Sequence, residues 1–163
     1  MPDTRIVQPP DLPQVIVERE FAAPAQLVLR AHLEPELLLQ WLGPREMTMT
    51  VECYETRHGG TWRYVHQGPD GEAYAFRGVF HGEPSIAGIV QTFEYEGWPG
   101  RVQLDTITMH EHDGMTLLRT VSTFQSVDDR DAMVASGMER GARDSGQRLD
   151  ALLATLTSTK RRD

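Results

Sequence analysis

His66 is the side chain in this sequence best placed to do chemistry. It closes the alternating run Trp62-Arg63-Tyr64-Val65-His66, which puts an indole, a phenol and an imidazole on one face of a strand. An imidazole buried beside two aromatic rings can have its pKa tuned for general acid or base work. No carboxylate is evident beside it, however, and the ring reads equally as a wall residue that orients a bound molecule through one hydrogen bond. His110-Glu111-His112 is a second cluster, with two imidazoles at i and i+2 on one strand face. A third metal ligand is missing, and the Asp113-Gly114 turn that follows makes the segment a solvated hairpin tip. Cys53 has neither a base nor a helix N-terminus near it in the chain and is expected to be a small buried hydrophobe. The sequence has no Gly-rich phosphate loop with its Lys, no His-Glu-x-x-His, no Cys-x-x-Cys and no Gly-x-Ser-x-Gly elbow. Neither a catalytic residue nor a metal or cofactor is therefore expected.

The elements that must position these residues can be read from periodicity. From Met47 to about Thr123 the chain alternates polar and apolar residues between turn signals such as His58-Gly59-Gly60, Gly68-Pro69-Asp70-Gly71 and Gly97-Trp98-Pro99-Gly100, which predicts antiparallel strands. Their spans are roughly Met47 to Glu55, Thr61 to His66, Glu72 to Gly82, Ile89 to Glu96, Val102 to His110 and Met115 to Phe124. A further strand precedes them at Gln14 to Phe21, with Arg19 interrupting its apolar side. Two short helices follow it, one after Pro24 and one opened by Glu34-Pro35-Glu36 and stopped by Gly43-Pro44. Taking the more apolar side of each strand as the inner one points Met47, Met49, Val51 and Cys53 inward, with Trp62, Tyr64, His66, Tyr74, Phe76, Phe80, Ile89, Phe93 and Tyr95. Aromatic side chains with polar tips recur on that face, and a partly wet, amphipathic cavity would satisfy them better than a dry core.

Near the end of the chain, Val134, Met138, Gly141, Ser145, Leu149, Leu152 and Leu156 form one stripe at helical spacing, predicting a long amphipathic helix from about Asp129 to Leu156 that lies on the sheet. Its first half is odd. Gly137, Gly141, Ser145 and Gly146 stand where a tightly packed helix would present aliphatics, and each interior glycine costs about 1 kcal/mol relative to alanine. Either another segment approaches closely or space is left for a ligand.

Composition bounds the function. At 163 residues with 39% hydrophobic content, one domain with a sizeable core is expected, over residues 14–157. A Pro-rich flexible leader is expected over residues 1–13 and a basic tail over 158–163. The net charge of -8 argues against a nucleic-acid partner. No apolar run is long enough for a membrane span and the start lacks the marks of a secretion signal. A lone cysteine agrees with a reducing, cytoplasmic location.

Phe21-Ala22-Ala23-Pro24, the segment from Glu34-Pro35-Glu36 to Gln40-Trp41-Leu42-Gly43-Pro44, His58-Gly59-Gly60-x-Trp62-Arg63, Phe76-x-Gly78-x-Phe80 and the closing Ser136-Gly137-Met138-x-x-Gly141 resemble, in order and spacing, the family of proteins similar to the activator of the ninety-kilodalton heat-shock protein ATPase. That family is a branch of the superfamily that includes the major birch pollen allergen, steroidogenic lipid-transfer domains and polyketide cyclases. The resemblance implies an α+β helix-grip fold, in which a curved seven-stranded antiparallel sheet wraps a long C-terminal helix around an apolar cavity, with two short helices between strands 1 and 2. It brings no shared catalytic residues. The expected function is binding of a small hydrophobic or amphipathic molecule, lipid-like or aromatic, by Trp41, Met49, Trp62, Tyr64, His66, Phe76, Phe93 and Met138. A cyclase- or hydrolase-type enzyme acting in the same cavity is the alternative, and a stress- or chaperone-related interaction module is a third. No membrane partner is expected, and a homodimer is compatible with the chain.

Overall fold

The computed structural model describes residues 3–160. Its strands are β1 (Arg5–Val7), β2 (Gln14–Phe21), β3 (Thr48–Tyr54), β4 (Thr61–Gln67), β5 (Ala73–Ser85), β6 (Gly88–Tyr95), β7 (Val102–His112) and β8 (Met115–Thr123). They form one antiparallel sheet in the order β1-β2-β8-β7-β6-β5-β4-β3. From β3 to β8 each strand pairs with the next, as short turns demand, and β8 then pairs with β2 along its whole length. The helices α1 (Ala25–Leu33) and α2 (Pro35–Leu38) carry the chain from β2 to β3 at the far edge. The helices α3 (Val127–Ala135) and α4 (Met138–Lys160) follow β8, and the second half of α4 buries Leu149 and Leu153 beside Phe21, Trp62, Phe80 and Ile89. This is the helix-grip arrangement, with a single open sheet and a long C-terminal helix.

Four details depart from the sequence reading. The sheet has an eighth strand, because Arg5–Val7 pairs with Val7↔Ile16 and Arg5↔Glu18 in a segment expected to be a flexible leader. Three residues carry no readable period; what holds them is tertiary. Arg143 donates to Thr4 O at 2.8 Å, Phe124 N–H donates to Pro13 O at 2.7 Å, and the buried Arg130 reaches the carbonyls of Pro9 at 2.6 Å and Leu12 at 2.9 Å. At the other end α4 runs through Lys160, so the first half of the expected tail is helical; residues 161–163, like 1 and 2, lie outside the described residues.

The expected single helix is broken at Ser136-Gly137. Gly137 has φ 94°, a left-handed conformation that ends α3, and its N–H donates to Val134 O. Ser126 caps the start of α3 by accepting from the N–H of Asp129. Finally, Cys53 is exposed rather than buried. The β3–β4 register shifts between Val51 and Cys53, and this bulge turns Tyr54 inward, where its hydroxyl donates to His32 O at 2.8 Å.

The clasp made by α1 and α2 is locked by aromatic contacts. Trp41 donates its indole N–H to Ala31 O at 3.0 Å and packs against His32, with ring centroids 4.7 Å apart. His32 is buried and its Nδ1–H donates to Val28 O at 2.8 Å; burial pulls its pKa from 6.5 down to about 4, against the smaller opposing effect of that hydrogen bond.

Two outcomes follow. Because folding depresses the pKa of His32, the unfolded chain binds the extra proton, and stability is full above pH about 6.5 and lost as pH falls toward about 4, by at most about 3 kcal/mol. Urea unfolding across that range checks this: His32→Leu should flatten the slope, leaving the shares of His66, shifted the same way, and of Asp105, shifted oppositely. Arg130→Leu should cost about 3 kcal/mol, since it strands the carbonyls of Pro9 and Leu12. A loss under about 0.5 kcal/mol in the same unfolding assay would show that the N-terminal arm is held otherwise.

Candidate functional site

Two adjoining chambers lie between the inner face of the sheet and the first half of α4. The inner one is about 340 Å³ and the outer one about 680 Å³, and His66, Phe76, Phe93 and Met138 belong to the walls of both. The outer chamber is framed by the β6–β7 turn, with Trp98 and Arg101, and by the α3–α4 junction. Arg101 stacks over the Trp98 ring at 4.2 Å and pairs with Asp129 on α3.

Why there is room here follows from residue size. A Cβ built on Gly141 would meet nothing nearer than Pro44 Cγ at 3.9 Å, so this part of α4 faces open space. Gly146 is small for the opposite reason: a Cβ there would fall 2.8 Å from Arg19 Cδ and 2.9 Å from Thr4 Oγ1. Where apolar packing is missing, polar contacts hold the helix. Ser145 accepts from Gly43 N–H at 2.8 Å, Arg148 donates to Gly43 O and Gln40 O, each at 3.0 Å, and Asp144 accepts from Arg45 N–H.

The wall on β4 to β6 is a patchwork of rings. Trp62 stacks on Tyr64 at 5.0 Å, Tyr64 and Phe76 each present an edge or face to His66, and Phe76 meets Phe93 at 5.1 Å. Trp62 lies across Gly78, where a Cβ would come within 2.6 Å of the indole. His66 rests on Gly43, which has φ 98°. Burial, and then the positive charge of Arg148, lower the His66 pKa, favouring the neutral ring. Burial raises the Tyr64 pKa, helped by Tyr54 and by the negative charge of Asp105. Three buried polar atoms have no hydrogen-bond partner among the described residues: Trp62 Nε1, His66 Nδ1 and Arg19 Nε.

Seven of the eight ligand-contact residues expected from sequence line the inner chamber. Met49 lines neither chamber and packs against the core, while Met47 and Met133 are the methionines that join Met138 around the space. Trp41 reaches the wall with its indole N–H already committed to Ala31. His110 and His112 are exposed, and Glu111 between them caps α1 by accepting from Ala25 N–H at 2.6 Å.

The residues missed are the polar ones of the inner chamber. Asp105 is 6% exposed, accepting from Ser122 Oγ at 2.7 Å and Gln103 Nε2 at 2.9 Å, with Gln91 Nε2 at 3.5 Å. Burial raises its pKa and these donors oppose the rise. The choice of the more apolar face could not find it, because Gln103, Asp105, Ile107 and Met109 tie with Val102, Leu104, Thr106 and Thr108; the structure buries Asp105, Ile107 and Met109, half-buries Gln103, and leaves Val102 and Leu104 on the exposed side. Arg19 did carry a signal, since it interrupts an apolar face that proves to be the inner one. Asp105 lines the same chamber as His66 but not beside it: it stands three strands away, in register with Gln91 and Phe80, whereas His66 is opposite Tyr74.

The family described as Activator of Hsp90 ATPase homolog 1-like protein matches residues 22–154. No curated protein is similar enough to match. Among solved structures, protein Ms6760 from Mycobacterium smegmatis is 27% identical with a TM-score of 0.85, over 93% of this chain and 97% of that one. A protein from Rhodobacter sphaeroides is 28% identical with a TM-score of 0.84, over 93% and 99%. The solution structure of a protein from Arthrobacter aurescens, 24% identical with a TM-score of 0.85 over 93% and 91%, shows likeness of fold alone.

The two glycines of α4 should respond differently to substitution. Gly141→Ala adds helix propensity into open space and should stabilise by about 1 kcal/mol, whereas Gly146→Ala should bring no gain because its Cβ meets Arg19. Thermal unfolding of both variants checks this, and equal stabilisation would refute the packing assigned to Arg19.

Proposed function

The chain belongs to the activator of Hsp90 ATPase homolog 1-like family, and on that premise we propose that it binds a small hydrophobic or amphipathic molecule, lipid-like or aromatic, in the space between the sheet and α4. The observation that carries this reading is the aromatic-walled space itself, whose volume of about 340 Å³ in the inner chamber and about 680 Å³ in the outer falls in the range of ligand pockets. Polar side chains set in the apolar wall, Asp105, Gln103 and Arg19 among them, supply the polar partners that an amphipathic occupant would use.

One observation favours the second reading, an enzyme of the cyclase or hydrolase kind. His66 and Asp105 line the same chamber, three strands apart, so a base and an acid could each act on a different part of one bound molecule. The interaction-module reading has less behind it. The outer face of the sheet carries the ion pairs Arg63–Glu96, Arg77–Glu94 and Arg119–Glu18 where a docking surface would need a broad apolar patch. Chaperone activation is not carried over from the family's name. Among the described residues no helix is long and apolar enough to cross a membrane. A cytoplasmic setting without nucleic-acid partners is the one we assign from the net charge of -8 and the lone Cys53.

The direct test is to release whatever co-purifies with the native protein and identify it by mass spectrometry. A second uses the fluorescent apolar probe 1-anilinonaphthalene-8-sulfonate. The wild type should bind it in the space beside α4, and Gly141→Phe, which sets a ring into that space, should weaken binding by tenfold or more on the order of the 1.4 kcal/mol per decade scale. His66→Gln should weaken it by less than about tenfold, the worth of one hydrogen bond. Unchanged binding in Gly141→Phe would place the probe elsewhere and remove the main support for the reading. A substrate whose turnover needs His66 while its binding does not would promote the enzyme.

A further inference from the structure

We propose that Asp105 sets the preference of the inner chamber for a ligand bearing a hydroxyl group, by accepting a hydrogen bond from that group at Oδ2. This rests on the binding reading above and narrows it from any hydrophobic molecule to an alcohol or phenol.

The sheet register places Asp105 directly opposite Gln91 on β6 and Ser122 on β8. The row continues into Val15 on β2 and Phe80 on β5, so a short polar stretch is set between apolar neighbours. Within it the two carboxylate oxygens are served unequally. Oδ1 accepts from both Ser122 Oγ at 2.7 Å and Gln103 Nε2 at 2.9 Å, while Oδ2 has only Gln91 Nε2 at 3.5 Å, the edge of hydrogen-bonding reach. A buried carboxylate has acceptor sites on both oxygens, and a site left without a donor is costly. The spare capacity is at Oδ2, on a side chain that lines the chamber.

The other groups facing the chamber decide which donor suits it. An ammonium group would share the space with the buried guanidinium of Arg19, and a carboxylate would share it with Asp105 itself. A hydroxyl adds no charge.

Substitution by asparagine turns this into a reversal of preference. Ser122 and Gln103 both donate at Oδ1, so in Asp105→Asn the amide oxygen must take that position and the NH2 group that of Oδ2. The chamber would then offer a donor where it had offered an acceptor. The probes are 2-nonanol and 2-nonanone, nearly equal in shape, titrated calorimetrically into the full chain at mildly alkaline pH. The wild type should bind the alcohol about tenfold more tightly than the ketone, and Asp105→Asn should abolish or invert that ratio. Should that variant not fold, Gln91→Leu serves instead: it removes the one protein donor near Oδ2 and should widen the preference for the alcohol. Equal binding of the two probes by the wild type, or an unchanged ratio in the variant that folds, overturns the inference and leaves the binding reading intact. Absence of binding of either probe to the wild type sinks both.

Discussion

The fold depends on a mismatch of size between two surfaces that face each other. The inner face of the sheet is set with rings, among them Trp62, Tyr64, Phe76, Phe80 and Phe93, whereas the opposing first half of α4 offers Gly141, Ala142, Ser145 and Gly146. Protein interiors pack to the density of organic crystals, so surfaces that do not interdigitate must be held apart by something else. Here that is the second half of the same helix. Leu149 and Leu153 are completely buried against the sheet and fix the distance at which α4 runs, and the small residues upstream cannot fill the gap this leaves.

A helix half without apolar packing needs another restraint, and the polar clamp to the segment after α2 supplies it. Ser145 and Arg148 grip the backbone of Gly43 and Gln40, and Asp144 takes the N–H of Arg45. These bonds explain why the short helices are inserted between β2 and β3: they carry the chain across the concave side and present a backbone for α4 to hold. The same clamp places Gly43 against the His66 ring and brings the Arg148 charge near enough to depress the pKa of that ring. At the other end the N-terminal arm does comparable work, since Thr4 receives Arg19 and Arg143 and lines the inner chamber.

How much of this was legible in sequence depended on whether the signal was local. The meander was, because most turns of β3 to β8 are written in Gly, Pro and Asp where they occur and the pairing of neighbours follows from turn length; the exception is β5–β6, where Glu83-Pro84-Ser85 stays in the strand and the chain turns at Ile86-Ala87. The aromatic wall was, because Trp62, Tyr64 and His66 sit at period two. What could not be read were features made by contacts distant in the chain. β1 is three residues pinned by Arg130 and Arg143, more than a hundred positions away. The β3 bulge, which exchanges Cys53 for Tyr54, is invisible to strict alternation. Asp105 was missed because the strand carrying it has equally apolar faces, so its orientation is decided by partners on β6 and β8 rather than by its own pattern.

Those last partners bear on what the cavity can be. A space lined only by hydrocarbon could stay dry and take any apolar occupant, as engineered cavities do. This one cannot be described that way, because Asp105, Arg19 and His66 all line it, and each buried polar group must find a partner or bear the cost of desolvation. The polar groups are also not interchangeable. The Asp105 carboxyl is set among amide and hydroxyl donors, an imidazole lies on a glycine, and a guanidinium is threaded under Gly146, so different parts of the wall demand different complements. A molecule that meets only one of them leaves the others unpaired, and that penalty, more than the apolar area it buries, is what separates one ligand from another of the same size.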